Sequence, residues 1–165
     1  MSCMILMLFH DRRCGASIAW IKEGLEERYG PYGLRVRDAG YLHVPLRGPM
    51  ADASLLLKHL LRMVGGDRAL WLVDCELVYP GVGPVMGCSS GRAALLYSGL
   101  DPEVLVREGM HETGHLLGLP HCQGVCVMQL SSSTSEARAK PAFLCEECSG
   151  RLVAGLGHGH HVALG

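Results

Sequence analysis

The chain has 165 residues, 48% hydrophobic and 19% charged, enough for a single domain with a sizeable buried core. Fifteen Lys and Arg against sixteen Asp and Glu leave a net charge of −1, which argues against binding to nucleic acid or a membrane surface through bulk charge. No apolar run approaches the roughly 18 residues of a spanning helix.

In chain order, Cys3 to Phe9 is an apolar run with the character of a buried strand. Gly15 to Tyr29 carries Ile18, Ile21, Leu25 and Tyr29 at helical spacing, and Gly30-Pro31 ends it. Leu34 to Arg37 alternates as a strand, and Met50 to Val64 reads as a helix stopped by Gly65-Gly66. Ala69 to Val78 is predicted as one apolar strand closed by Pro80-Gly81. Val82 to Cys88, broken by Gly and Pro, is expected at a sheet edge or in an irregular hairpin, and Arg92 to Tyr97 as a further strand. Asp101-Pro102-Glu103 opens a helix that should run to about Leu117 and stop at Gly118. A Cys-rich turn and the polar run Ser131 to Ser135 follow, then a last helix within Ala142 to Leu156. Alternating strands and helices imply a mixed sheet with helices packed on it.

Eight Cys and nine His are unusually many potential ligands. With no basic segment before the N-terminal apolar stretch, a cytoplasmic protein is expected, in which so many Cys suggest metal before disulfides. Cys3 and Cys75 read as small core residues of strands, while Cys14 and Cys88 have no ligand spacing. The tail from His158 to Gly165, with His160 and His161, is expected to be mobile.

The chemistry concentrates in the late helix. His111 and His115 are four residues apart within His111-Glu112-Thr113-Gly114-His115, so both imidazoles leave one helix face. Gly118 can turn the chain and let His121 return as a third nitrogen ligand. Three neutral imidazoles would leave a tetrahedral zinc one position for water, with Glu112 beside that water as general base. The bland alternatives are surface histidines or a purely structural zinc. Cys122, Cys126, Cys145 and Cys148 form two pairs about twenty residues apart that would close a structural thiolate zinc site, two disulfides or free thiols being the alternative. Met128 by itself is a core methionine.

His111-Glu112-x-x-His115-x-x-Gly118-x-x-His121 resembles the extended zinc signature of the metzincin metallopeptidases. Joined to Cys122, Cys126-x-Met128 and Cys145-x-x-Cys148, it is similar to the archaemetzincins. Two loops, Cys122 to Cys126 and Met128 to Cys145, are each one residue shorter than the family pattern. The resemblance implies an α/β (α+β) metzincin-like fold, with a twisted, mixed, mostly parallel sheet, packed helices, an active-site helix and a small zinc-stapled C-terminal lobe. In such a single domain, residues 1–118 would be the sheet and helix lobe and 119–157 the lobe holding the Cys site. It implies two zinc ions: a catalytic one on His111, His115 and His121, with Glu112 as base, and a structural one on the four Cys, with Met128 in a turn beneath the first. The expected activity is hydrolysis of peptide bonds, internal or from the amino end, by a monomer acting on peptide or protein substrates. The substrate would lie extended along an edge strand near Val82 to Cys88. A non-catalytic peptide-binding or protein-binding zinc module of the same fold is the alternative. A nucleic-acid module on the Cys knuckles is disfavoured by the mixed charges of Arg138, Lys140, Glu146, Glu147 and Arg151.

Overall fold

The computed structural model describes residues 3–11, 15–45, 48–155 and 162–164. Cys14 and His158, His160 and His161 lie outside them. Among the described residues, the main sheet has six strands in the order β2-β1-β4-β8-β7-β9. They are β1 (Met4–His10), β2 (Leu34–Tyr41), β4 (Arg68–Val73), β7 (Gly87–Ser90), β8 (Ala93–Tyr97) and β9 (Val162–Leu164). β1 pairs in parallel with β2 and β4, and β4 with β8; β7 and β9 add antiparallel strands on one side. A small second sheet, in the order β3-β5-β6, is made of β3 (Met50–Asp52), β5 (Glu76–Tyr79) and β6 (Gly83–Val85). Among the described residues, five α-helices accompany them: α1 (Gly15–Tyr29), α2 (Ala53–Val64), α3 (Pro102–Leu116), α4 (Thr134–Ala139) and α5 (Glu146–Val153). None among the described residues is long and apolar enough to cross a membrane.

Strand periodicity divides the core into two layers. Successive side chains point to opposite faces, so Leu6, Leu8, Leu70, Leu72, Ala94 and Leu96 pack on one face against α1 and α3. Ala69, Trp71, Val73, Ala93 and Leu95 line the other, against Leu56, Leu57 and Leu60 of α2. Strands covered on both sides read as unbroken apolar runs, and each fully buried Leu or Ile is worth ~1.5–3 kcal/mol. The first layer continues into Leu119, Cys126, Val127, Met128, Leu144 and Cys148. The Cys-bearing segment therefore shares a core with the sheet.

The structure redraws several elements. Met50 to Val64 is not one helix: Met50–Asp52 pairs with Glu76–Val78, and Asp52 caps α2 by accepting from the Ser54 and Leu55 amides. Ala69 to Val78 is two strands, since the chain bends at Asp74-Cys75 and leaves the main sheet for the small one. Val82 to Cys88 likewise divides, β6 pairing with β5 and β7 with β8. The polar run after Leu130 contains α4, capped by Ser133 accepting from the Glu136 amide. Cys3 is exposed, contrary to the core role expected of it; Cys75 lies outside any strand at the bend after β4, half-buried against the second core layer, and Cys88 in β7 is buried. At the far end of the expected mobile tail, Val162–Leu164 forms β9 along β7.

Candidate metal centre and active site

Helix α3 starts as its sequence predicts, with the Asp101 carboxylate accepting from the Val104 amide and Pro102 in the first turn. Its far end builds the site. Gly118, at φ 92°, takes the left-handed conformation open to glycine. The Gly118 amide then donates to the His115 carbonyl at 2.9 Å and the Leu119 amide to the Gly114 carbonyl at 2.9 Å, a paired closure that satisfies helix-end acceptors. Arg68 Nε donates to the next one, the Leu116 carbonyl, at 3.0 Å. This turn sends the chain back so that His121 faces the two helix histidines. The ring centroids lie 4.6 Å (His111–His115), 5.3 Å (His111–His121) and 4.7 Å (His115–His121) apart.

The second ring nitrogens fix the tautomers. His111 Nδ1 lies 2.9 Å from the Val127 carbonyl and His115 Nδ1 2.7 Å from the Leu119 carbonyl. A carbonyl only accepts, so each Nδ1 carries the proton and each Nε2 keeps its lone pair. The two Nε2 atoms stand 3.1 Å apart, and the ligand atoms of all three histidines lie within 4.8 Å of one another. Nitrogens about 2.0–2.1 Å from a tetrahedral zinc would be separated by about 3.3 Å, so the donor set fits that ion. Burial drives the His111 ring well toward its neutral form, helped by the positive charge of Lys140 and by His115.

Glu112 is fully buried, and neither carboxylate oxygen has a hydrogen-bond partner among the described residues. Burial raises its carboxyl well above the ordinary range; Glu108, one turn earlier, adds to this, and Lys140 and Ser89 oppose it. A Cβ at Gly87 would sit 3.1 Å from the Glu112 side chain and 2.7 Å from the Leu95 carbonyl oxygen. Glycine there lets the start of β7 close on Glu112. Met128 lies buried under the helix, its sulfur occupying the room a Cβ of Gly114 would take, and Tyr29 donates to the Met110 carbonyl at 2.6 Å from the same side.

The four Cys come together as a second cluster, all sulfurs within 4.8 Å and none in a disulfide. Cys122 and Cys145 sulfurs are 3.7 Å apart, against about 3.8 Å for the edge of a tetrahedral zinc–thiolate site with 2.3 Å bonds. Backbone amides aim at these sulfurs: Gly124 at Cys122, Met128 and Cys145 at Cys126, and Cys148 at Cys145. The Cys148 amide lowers the Cys145 thiol, whereas burial raises Cys122 and Cys148. Such donors favour thiolate, the form that binds metal. All eight positions expected from sequence, with Met128, therefore fall in one region. Glu108, Lys140, Tyr29, Gly87 and Ser89 escaped sequence reasoning. Only Glu108 carried a signal there, standing one turn before both His111 and Glu112 on the same helix face.

Comparison with known proteins places this geometry. Residues 99–154 match the model of peptidase family M54. The chain is 42% identical over 131 residues to the archaemetzincin of Thermococcus kodakarensis, covering 68% of this chain and 70% of that one. The chain belongs to the archaemetzincins. With the archaemetzincin of Aeropyrum pernix it shares 37% identity over 99 residues, and there it spans about half the relative's length, 54%. The crystal structure of an archaemetzincin from Methanopyrus kandleri superposes with a TM-score of 0.78 at 29% identity, over 93% of this chain and 95% of that one. A malonate complex of the Archaeoglobus fulgidus archaemetzincin gives the same score at 23% identity, over 90% and 99%, a likeness of fold. The mixed, mostly parallel sheet with packed helices is thus the archaemetzincin fold.

Proposed function

We propose that this chain is a zinc-dependent peptidase in which His111, His115 and His121 hold the catalytic metal, Glu112 is the general base, and Cys122, Cys126, Cys145 and Cys148 hold a second, structural zinc. The observation that carries this is the convergence of three imidazoles, two with their tautomers set by backbone carbonyls, beside a fully buried carboxylate. When bound, the metal supplies Lewis acidity, polarising a scissile carbonyl and acidifying water. The protein supplies the rest. Glu112 can take a proton from water in the site and return it to the leaving amine. Met128 and Tyr29 support the helix from below, and Gly87 lets β7 approach the base.

The substrate is an extended peptide. β7 runs antiparallel beside Glu112 and carries β9 on its outer edge, so that edge accepts an antiparallel strand, and a peptide can replace β9 there through backbone hydrogen bonds. Beside the start of β7 lies a cavity of about 540 Å³ lined by Leu77, Val85, Met86, Tyr97 and Leu130 among others, suited to an apolar side chain.

The test is Glu112→Ala assayed on a broad peptide library beside elemental analysis. Turnover should fall by about 10²–10⁴-fold with zinc content unchanged; retained cleavage by the metal-loaded variant would remove Glu112 as base. Peptide binding without turnover by zinc-loaded wild type would instead make the protein a binding module.

A further inference from the structure

Behind the histidines lies a buried ion pair that the proposed chemistry does not use. Lys140 Nζ is 2.6 Å from Glu108 Oε1, and both side chains are withdrawn from solvent, at 1% and 0% exposure. Burying such a pair is costly, and well-packed apolar residues in its place are often as stable or more so. Stability alone therefore does not account for it.

Its position does. Lys140 follows α4, and its backbone is held on both sides: the amide donates to the Glu136 carbonyl, and its own carbonyl accepts from Arg107 Nε of α3 at 3.0 Å. From this anchored point the ammonium reaches Glu108 on α3 and donates to the Gln129 carbonyl at 3.1 Å. Gln129 closes the turn that begins at Cys126 and contains Val127, whose carbonyl orients the His111 ring. The same ammonium stands 3.3 Å from His111 Nδ1. With two donors facing each other, this contact is no hydrogen bond, and it leaves the Val127 carbonyl as the acceptor for Nδ1–H. One side chain thus ties the metal-bearing helix to the turn that aims its first ligand.

We propose that Glu108 and Lys140 are positioning residues for the His111 metal ligand, bracing the Val127–Gln129 turn against α3. The proposal rests on the three histidines being a metal site, as read above. Outer partners of metal-bound histidines typically change affinity 10–100-fold when removed. The Val127 amide also donates to the Phe143 carbonyl, and the Cys122 amide to that of Met128, so the turn keeps other supports and the lower part of that range is expected.

The test pairs Lys140→Met with the double variant Glu108→Met/Lys140→Met, which removes both charges and so avoids stranding a buried carboxylate. Zinc is first loaded into the Cys site, and Co2+ is titrated into the histidine site against a competing chelator, followed by its visible d–d absorption. The double variant should fold with a wild-type circular dichroism spectrum, keep its Cys-site zinc, and bind Co2+ about tenfold more weakly with an altered d–d spectrum. Lys140→Met alone should weaken binding at least as much. A folded double variant with wild-type Co2+ affinity and spectrum would overturn the positioning role. An absence of Co2+ binding by the wild-type histidines would instead sink the metal reading itself.

Discussion

At Gly114 the surface of α3 lacks a Cβ, and Met128 Sδ and the Tyr29 hydroxyl fill the space one would need. At Gly109, one turn and a half earlier, an added Cβ would meet only Leu96 at 3.6 Å and Ile21 at 3.7 Å, ordinary contacts. The two glycines thus make a controlled pair. Ala gains up to ~1 kcal/mol over Gly in a helix, whereas overpacking costs ~1–3 kcal/mol or more. Gly109→Ala should be neutral or raise the thermal midpoint, and Gly114→Ala should lower it and loosen zinc at the histidines. Equal midpoints for the two variants in thermal denaturation would contradict this account of Met128. The sequence alone shows two helix glycines and cannot separate them, because the atom that distinguishes them arrives from fourteen residues downstream. Glu112 and the three histidines were legible because helix geometry and one glycine turn bring them together locally. Lys140 was not, since α4 delivers it from a distant part of the chain.

Among elements, the long periodic ones were readable and the short ones were not. α1 matches its sequence bounds because Ile18, Ile21, Leu25 and Tyr29 make one continuous buried stripe. The apolar run Ala69 to Val78 concealed a change of sheet, for apolarity reports burial and not which partner strand provides it. α4 is six residues long, and its capping pattern Ser133-x-x-Glu136 was the available signal amid a run of serines. β9 left no sequence signature, and its pairing along β7 joins the tail to the side of the sheet that faces the site. A peptide adding to β7 must displace it. Removing residues 156–165 should therefore lower KM for peptide substrates several-fold with kcat little changed, measured by steady-state cleavage. An unchanged KM would mean that substrates do not use this edge.

Across the whole molecule, the proposed reading gives the two clusters different contributions. The Cys site joins the Cys122–Cys126 segment to Cys145 at the start of α5, and its sulfurs abut the core that also holds Leu6, Leu8 and Ile21. Structural zinc is worth on the order of 10 kcal/mol in small peptides, comparable with the ~5–15 kcal/mol that keeps a domain folded. Cys145→Ser should thus lower the melting temperature by about 10 °C or more, whereas His111→Ala should remove one zinc with a smaller fall. A Cys145→Ser variant that melts like wild type would exclude the structural role.

The most direct measurement is anomalous diffraction at the zinc edge from a metal-loaded crystal. Two peaks per chain are predicted, one among the four Cys sulfurs and one equidistant from the Nε2 atoms of His111 and His115 and from the His121 ring, with a coordination position left to solvent beside Glu112. No peak at the histidines, or one closed off by a fourth protein side chain, would contradict the account.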